Sequence, residues 1–273
     1  MTSAIKYKNI TRVKELETVV SLQKLIWGKE AVTEVPQLFA SIQSGGSVIG
    51  AYLDDELAGF CYGFPGYQSH NLYLYSHMMG ILPSQRNNGI GLQLKLQQRL
   101  WAKQAGYEKI IWTYDPLQTR NAHLNLNKLG GYVDHYKVSY YGEMKDKINT
   151  GFPTDRFLLE WDIGSERVSD NLRISEKEKV WQQYRKLSWT TTGSHPVPET
   201  LNHAAIDEQG YLVPVPADIE RIKQENFNLA LEWRLHVRNK MLSLLEKDYR
   251  VVGLLRQKEP VHYYVLENKS DRG

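Results

Sequence analysis

The stretch that decides the fold is residues 80–92, GILPSQRNNGIGL, where an apolar run meets Pro83 and then the spacing Arg86-x-x-Gly89-x-Gly91. Glycines let the backbone approach a ligand closely, and the first amide groups of a helix converge at its positive end. An anion is favoured at such a position. The segment therefore predicts either a phosphate-binding turn or a plain helix entry with turn glycines.

This turn differs from two widespread phosphate-binding motifs. It lacks the Gly-Lys-Ser/Thr ending of the P-loop, and its glycines do not have the G-x-G-x-x-G spacing of dinucleotide-binding folds. Neither motif therefore describes the segment.

The segments around the turn alternate between strand and helix patterns. Residues 47–66 form two β-rich runs that indicate a hairpin, and residues 72–81 indicate a further strand. Residues 90–105 have helical spacing, and residues 108–114 follow as a strand. Strand, helix and strand in this order form a crossover unit, so the two strands are expected to be parallel neighbours.

The rest of the chain divides into two regions. Helices are predicted at 13–27, after Pro36 and at 119–129, and strands at about 132–141 and 156–163. The sequence pattern changes after Ile163, where a charged segment follows. This change predicts a first domain over residues 1–165 and a C-terminal extension over residues 166–273. In the extension we expect a helix carrying Trp181, Tyr184 and Trp189, a strand YLVPV, a long helix from Pro216 to about Tyr249, and a closing hairpin.

Composition and charge exclude several classes of protein. The 273 residues carry 34 Lys and Arg against 31 Asp and Glu, a net charge of +3 that is too small for a dedicated nucleic-acid binder. One cysteine, Cys61, allows neither an internal disulfide nor a cysteine-based metal site. The sequence has no long apolar run and no signal-peptide pattern, so we expect a cytoplasmic protein with no membrane partner.

Two motifs carry a family resemblance. The spacing ILP-x-Q-R-x-x-G-I-G at 81–91, followed by an N-A-x-x-x-x-x-K-L-G helix at 121–130, resembles the GNAT acyltransferase superfamily over about residues 5–163. Residues 115–132, DPLQTRNAHLNLNKLGGY, resemble a GNAT subgroup that carries a long C-terminal extension. The resemblance implies an α/β (α+β) fold with a mixed, splayed sheet flanked by helices, and a C-terminal helix-and-hairpin extension.

The resemblance also implies a cosubstrate, acetyl-CoA or another acyl-CoA, and no metal. The acyl-CoA would lie in the gap between the strands at 72–81 and 108–114. Its pyrophosphate would lie on the loop from Arg86 to Gly91. The cofactor-binding residues of this segment would be Gln85, Arg86, Asn87, Asn88, Gly89, Ile90 and Gly91. The backbone of Met79, Gly80 and Ile81 would face the thioester, with Gly80 as a bulge that frees an amide for the developing negative charge. Asn121 either contacts the cosubstrate or caps its helix.

Candidate catalytic residues are fewer. His77, nine residues before Arg86, is the first candidate for the base that takes the proton of an amine, and otherwise it is a packed strand residue. Asp115 is a weaker candidate because a turn at Pro116 explains it as well. Many GNAT enzymes have a tyrosine as general acid where this chain has Leu126. The side chains of Tyr75, Tyr114 and His123 either line the acceptor pocket or serve only packing or solvation.

These residues predict an acyltransferase that moves an acetyl or other short acyl group directly to the amine of a small molecule or amino acid. Two alternatives stay open: a non-catalytic acyl-CoA binding module and a protein N-acetyltransferase. The extension would shape the acceptor pocket or form a homodimer interface. Its Arg234 and Arg238, spaced i and i+4, either bind a carboxylate or form a solvated face.

Overall fold

The computed structural model describes residues 5–68, 70–142, 151–169, 174–199 and 209–271. The chain folds as two units, the first made of residues 1–112 and 162–165 and the second of residues 113–161 and 166–273. This division differs from the predicted boundary after residue 165, because residues 113–161 group with the C-terminal segment.

The first unit is a sheet with helices on both faces, and its strands follow the order β1-β2-β3-β4-β5. The pairs β1–β2, β2–β3 and β3–β4 are antiparallel, and β4–β5 is parallel as predicted. The last two residues of β5 belong to the second unit. The elements are β1 Lys6–Asn9, α1 Val13–Trp27, α2 Val35–Gln43, β2 Ser47–Leu53, β3 Glu56–Gln68, β4 Asn71–Ile81, a 3₁₀ turn Pro83–Gln85, α3 Ile90–Gln104 and β5 Lys109–Tyr114.

The predicted hairpin at 47–66 is confirmed as β2 and β3. Asp54 and Asp55 connect the two strands and both have positive φ, 49° and 65°, which is the backbone of a tight hairpin turn. Because side chains alternate along a strand, Val48 and Ile49 point to opposite faces of the sheet. The hairpin therefore supplies apolar side chains to a core on each face.

Each face of this sheet is covered by different helices. On one face Val48, Phe60 and Tyr62 pack with apolar residues of α1 and α2, such as Leu16 and Leu38. On the opposite face a second cluster joins the strands to α3, and it consists of Ile49, Ala51, Ala58, Cys61, Ile90 and Leu94. The amphipathic patterns predicted for 13–27 and 90–105 are confirmed by this packing.

The second unit contains mostly antiparallel strands in the order β7-β6-β12-β13-β11-β8, and the β11–β8 pair is parallel. Strands β9 and β10 form a separate two-stranded ribbon. The elements are α4 Thr119–Ala122, a π-helix His123–Lys128, β6 Tyr132–Lys137, β7 Arg156–Asp162, α5 Glu166–Ser169, α6 Ile174–Trp181, β8 Arg185–Lys186, β9 Trp189–Thr192, β10 His195–Pro198, β11 Gly210–Pro216, α7 Ile219–Glu225, α8 Phe227–Leu245, β12 Tyr249–Leu255, β13 Val261–Asn268 and a 3₁₀ turn Lys269–Asp271.

Two predictions for the extension were wrong. The long helix from Pro216 to Tyr249 is two helices, because the Asn226 side chain accepts a hydrogen bond from the Leu229 amide at 3.1 Å and starts α8. Pro216 itself ends strand β11. Trp189 begins strand β9 and is not in a helix, whereas Trp181 ends α6. The closing hairpin is confirmed as β12 and β13.

The predicted fold class is confirmed: the chain has a mixed α/β fold with mostly antiparallel strands and flanking helices. No helix within the described ranges is long and apolar enough to cross a membrane.

Candidate active site

Strands β4 and β5 of the first unit separate soon after they meet. Their ladder pairs Leu74 with Ile110 and Tyr75 with Ile111. Past this last pair, β4 continues to Ile81 while remaining paired with β3 on its other side. Among the described residues, no strand pairs with the β5-facing edge of β4 past Tyr75, and an extended ligand can add hydrogen bonds to an edge of this kind.

A β-bulge lies at His77, not at Gly80. Tyr62 pairs with Met78 and Gly63 with Ser76, which leaves His77 as the extra residue of β4. Gly80 pairs regularly with Phe60, so its prediction as a bulge was wrong.

The reason for a glycine at position 80 is packing. A Cβ there would lie 2.8 Å from Ile26 Cδ1 and 2.8 Å from Phe60 Cε1, and 3.0 Å from Trp27 Cη2. Gly80 therefore lets the C-terminal end of α1 approach β4.

The bulge determines where the His77 ring lies. The ring is flanked by three aromatic side chains, with centroid distances of 5.9 Å to Tyr62, 5.6 Å to Phe64 and 6.2 Å to Tyr75. Desolvation by these neighbours lowers the pKa of His77 from its usual value, although the residue keeps an exposed surface. His77 is therefore mostly neutral at pH 7 and able to accept a proton.

The turn after β4 has the backbone of an anion-binding loop. Asn87 and Gly89 adopt positive φ, 71° and 77°, and Gly89 is the residue before the first turn of α3. No side chain of the described residues caps this helix end. The amides at the start of α3 thus have neither intrahelical partners nor a capping side chain, which leaves them for water or for an anion.

The two glycines of the motif serve different purposes. A Cβ on Gly89 would meet nothing within 4 Å, so this glycine is required by its φ and leaves open space above the helix end. A Cβ on Gly91 would lie 3.2 Å from Ile81 Cδ1, so this glycine allows α3 to pack against the end of β4.

Side chains do not close the loop. Arg86, Asn87, Asn88 and Gly89 are exposed, and Ile90 is buried as the first core residue of α3. Within the described part of the chain, the loop side chains make two long hydrogen bonds, at 3.4 Å from Arg86 Nε to the Ile81 carbonyl and 3.4 Å from Asn88 Nδ2 to Gln85 Oε1. Arg86 therefore contributes a positive charge beside the open end of the helix.

A buried polar cluster beside this edge was missed by the sequence reasoning. Lys95 of α3 is 3% exposed, and its Nζ donates to Ser76 Oγ at 2.6 Å and to Gln98 Oε1 at 3.3 Å. The same Nζ lies 3.6 Å from the centroid of the Trp112 ring. The available signal was a lysine on the buried stripe of a helix, between Leu94 and Gln98.

Asp115 lies in the second unit and is already engaged. One carboxylate oxygen accepts the Leu117 amide at 2.8 Å, and the other accepts Arg234 Nη2 at 2.7 Å. Arg238, one turn later on α8, donates to both oxygens of buried Asp155 at 2.8 Å. The two arginines therefore bind carboxylates of this chain, and the alternative of a solvated face was wrong.

The remaining second-unit candidates are mostly packed. Tyr114 is 4% exposed against Phe157, and burial raises its pKa above the usual value. His123 begins the π-helix, and burial followed by the charges of Arg256, Lys128 and His262 lowers its pKa to about 4.

Asn121 and Leu126 differ sharply in exposure. Asn121 is exposed on α4, whereas Leu126, at the position of the expected tyrosine, is 1% exposed inside the π-helix. The Leu126 side chain cannot donate a proton.

Part of the chain is similar to a known protein family. Residues 16–130 match the sequence model of the acetyltransferase (GNAT) family, a segment that contains β4, the loop and α3. No curated protein matches the chain.

Several solved structures resemble it at low identity. An acetyltransferase of the GNAT family from Streptococcus pneumoniae has 17% identity and a TM-score of 0.47, over 59% of this chain and 100% of that one. Arabidopsis thaliana Naa50 with the bisubstrate analogue CoA-Ac-MVNAL has 16% identity and a TM-score of 0.45, over 57% and 97%. A GNAT family acetyltransferase from Elizabethkingia anophelis with acetyl-CoA bound has 18% identity and a TM-score of 0.44, over 58% of this chain and 97% of that one.

Proposed function

We propose that this chain is a GNAT-type acyltransferase that moves an acetyl or other short acyl group from coenzyme A to the amine of a small molecule or amino acid. The observation that carries the proposal is the open, uncapped start of α3, with Asn87 and Gly89 in left-handed backbone, shortly after the part of β4 that extends past the last β4–β5 pair. The family match over residues 16–130 supports it.

The loop suits the diphosphate of coenzyme A. Backbone amides from Gly89 to Gly91 would bind the phosphate oxygens at the positive end of α3, and Arg86 would add a charge-assisted contact. The open space above Gly89 leaves room for the anion. The pantetheine arm would then extend along β4 past Ile81, Gly80 and Met79 toward the bulge.

The reaction follows as a direct transfer. The acceptor amine attacks the thioester carbonyl carbon, its nitrogen forms the new C–N bond, and the C–S bond breaks to release the thiolate. His77 takes the proton that the amine loses, a role for which its exposed surface and lowered pKa are suitable. Holding donor and acceptor together supplies a large share of the rate.

Asp115 is a poor second candidate for the base. Both of its oxygens already accept hydrogen bonds, one of them from a fully buried arginine. We therefore assign it to shaping the turn at Pro116 and keep His77 as the base.

One observation favours a second candidate function. Buried Leu126 stands where a proton-donating tyrosine is common in the family. A chain without that donor would suit an acyl-CoA binding module that performs no chemistry. A protein N-acetyltransferase remains a third candidate, distinguished by peptide acceptors.

The test has two stages. Calorimetry with acetyl-CoA measures binding, and thiol release is then followed with a panel of small amines, amino acids and N-terminal peptides. We expect His77→Ala to lose at least tenfold in kcat while the Kd for acetyl-CoA changes less than twofold. His135→Ala, an exposed histidine on β6, is the matched control and should retain full activity.

The outcomes separate the candidates. Binding without thiol release from any acceptor supports the binding module, and turnover limited to peptides supports the protein N-acetyltransferase. Absence of heat with any CoA thioester would overturn all three. We also propose a cytoplasmic location. We assign the extension to shaping the acceptor pocket or to a homodimer interface.

A further inference from the structure

Lys95 is a charged group in an apolar setting that the mechanism above does not use. Burial lowers the pKa of Lys95 to about 8, and the nearby Cys61 thiol partly opposes this shift. No carboxylate pairs with its ammonium among the residues that the structure describes. Keeping an ammonium buried without a carboxylate is costly, so a purely structural role explains this residue poorly.

The position of Lys95 is more specific than its burial. The last pair of the β4–β5 ladder is Tyr75 with Ile111, so Ser76 and Trp112 are the first residues past the point where the strands separate. The Lys95 Nζ contacts both, at 2.6 Å from Ser76 Oγ and 3.6 Å from the Trp112 ring centroid. The ammonium therefore lies at the closed end of the gap between the two strands.

This closed end is where the reactive end of the donor would lie. The phosphate loop stands at the other end of the same stretch of β4, after Ile81, and five residues of strand span about 17 Å. An extended pantetheine arm has a comparable length. A coenzyme A held by its diphosphate at the loop would then bring its sulfur close to Ser76.

We propose that Ser76 and Lys95 form a proton relay to the departing thiolate of coenzyme A, in place of the tyrosine that Leu126 replaces. This inference rests on the proposed acyltransferase function. As the C–S bond breaks, the electron pair stays on sulfur, the Ser76 hydroxyl gives its proton to that sulfur, and the Lys95 ammonium gives a proton to Ser76. Neutral Lys95 is afterwards reprotonated by solvent, and His77 returns the amine proton to solvent.

The groups that face Lys95 come from four elements. They are Cys61 of β3, Ser76 of β4, Trp112 of β5 and Gln98 of α3 itself. Burial raises the pKa of the Cys61 thiol, which therefore stays neutral near pH 7. Lys95 is thus the group of this cluster that changes charge near pH 8.

The pH dependence of kcat follows with a definite sign. The relay needs protonated Lys95, so activity is present below a pKa of about 8 and is lost above it. The base needs neutral His77, so activity falls on the acid side below the usual histidine range. The wild-type profile of kcat against pH should therefore be bell-shaped. Removing the relay should abolish only its alkaline limb, the decrease of kcat at high pH.

The test compares Ser76→Ala, which removes the hydroxyl, with Ser76→Thr, which keeps it. With acetyl-CoA and the best amine of the panel, we expect Ser76→Ala to lower kcat tenfold to a hundredfold, with KM for acetyl-CoA within twofold. Its alkaline limb should disappear, and Ser76→Thr should restore both the rate and the limb. Lys95→Met should resemble Ser76→Ala, while Lys103→Met, an exposed lysine on the same helix, should match wild type.

Failure of the relay and failure of the function are distinguishable. A Ser76→Ala enzyme with wild-type kcat and an intact alkaline limb would overturn the relay alone. A wild-type protein that binds no acetyl-CoA, or that binds it without releasing thiol, would overturn the proposed function and the relay with it. If Lys95→Met does not fold, the Ser76→Ala and Ser76→Thr pair decides the matter.

Discussion

Changing Asn88 to aspartate places one negative charge at the proposed diphosphate site with almost no change of shape. Asn88 is exposed, immediately precedes Gly89, and makes only a 3.4 Å contact with Gln85. A carboxylate near the positive end of α3 should leave stability unchanged or raise it by about 0.3–1 kcal/mol. Any loss of acetyl-CoA affinity would then come from repulsion and not from damage to the fold.

The expected loss can be worked out from charge and distance. Two unit charges about 5 Å apart in water repel by about 0.8 kcal/mol, and a diphosphate carries about two charges. The resulting penalty of about 1.6 kcal/mol corresponds to a Kd about 15-fold weaker at low ionic strength. At about 0.15 M salt the Debye length is about 8 Å, so the loss should shrink to about fourfold.

Calorimetry with acetyl-CoA at two salt concentrations measures both values, and thermal unfolding checks the stability. Asn9→Asp, an exposed change of the same charge on the edge strand β1, is the matched control and should leave Kd unchanged. Asn88→Lys should tighten binding. The reasoning fails if Asn88→Asp binds acetyl-CoA as well as wild type at low salt, or if Asn9→Asp weakens binding equally.

Two further predictions concern stability. Gly91→Val adds a branched side chain 3.2 Å from Ile81 Cδ1, so urea unfolding should show a loss of about 1–3 kcal/mol. Gly89→Ala meets no neighbour but must hold a φ of 77°, so its loss should be about 1–2 kcal/mol and come from backbone strain alone. Asp155→Asn leaves Arg238 without its buried carboxylate and should cost about 3–5 kcal/mol. Burial would raise the pKa of Asp155, but Arg238, Tyr136 and the Ser139 amide bind the carboxylate and lower its pKa overall. The stability that the ionised Asp155 contributes is therefore present above the usual Asp pKa and is lost as pH falls through the lowered value. A wild-type acid unfolding curve that matches that of Asp155→Asn would refute the assignment.

The elements that the sequence predicts well are those with short-range signals. Alternation along 47–66, helical spacing at 90–105 and the strand–helix–strand order around the loop each depend on neighbours in sequence, and each is confirmed. The break between α7 and α8 was missed because both helices keep apolar faces across it. Only the Asn226 cap, a local competitor for the backbone, interrupts them.

The bulge and the buried cluster could not be predicted in the same way. A bulge depends on which residues of two strands face each other, and the glycine that suggested it at position 80 is required for contact with α1 instead. Lys95 lies on the buried stripe of α3, between Leu94 and Gln98, but helical spacing alone does not show what its ammonium contacts. The role of Lys95 depends on its contacts with Ser76 and Trp112, which are distant in sequence and are brought to it only by the fold.

The charged residues of α8 narrow the choice of catalytic groups. The sequence left open whether Arg234 and Arg238 bind a carboxylate. In the structure they bind the carboxylates of Asp115 and Asp155, which belong to the same unit. Because removing one partner of a buried ion pair leaves the other charge unpaired, moving the Asp115 carboxylate away would leave the buried Arg234 guanidinium without its partner. A group that must gain and lose a proton in every cycle should be free of such a pairing. Among the candidates, His77 meets this condition, since its neighbours are aromatic rings and not charges.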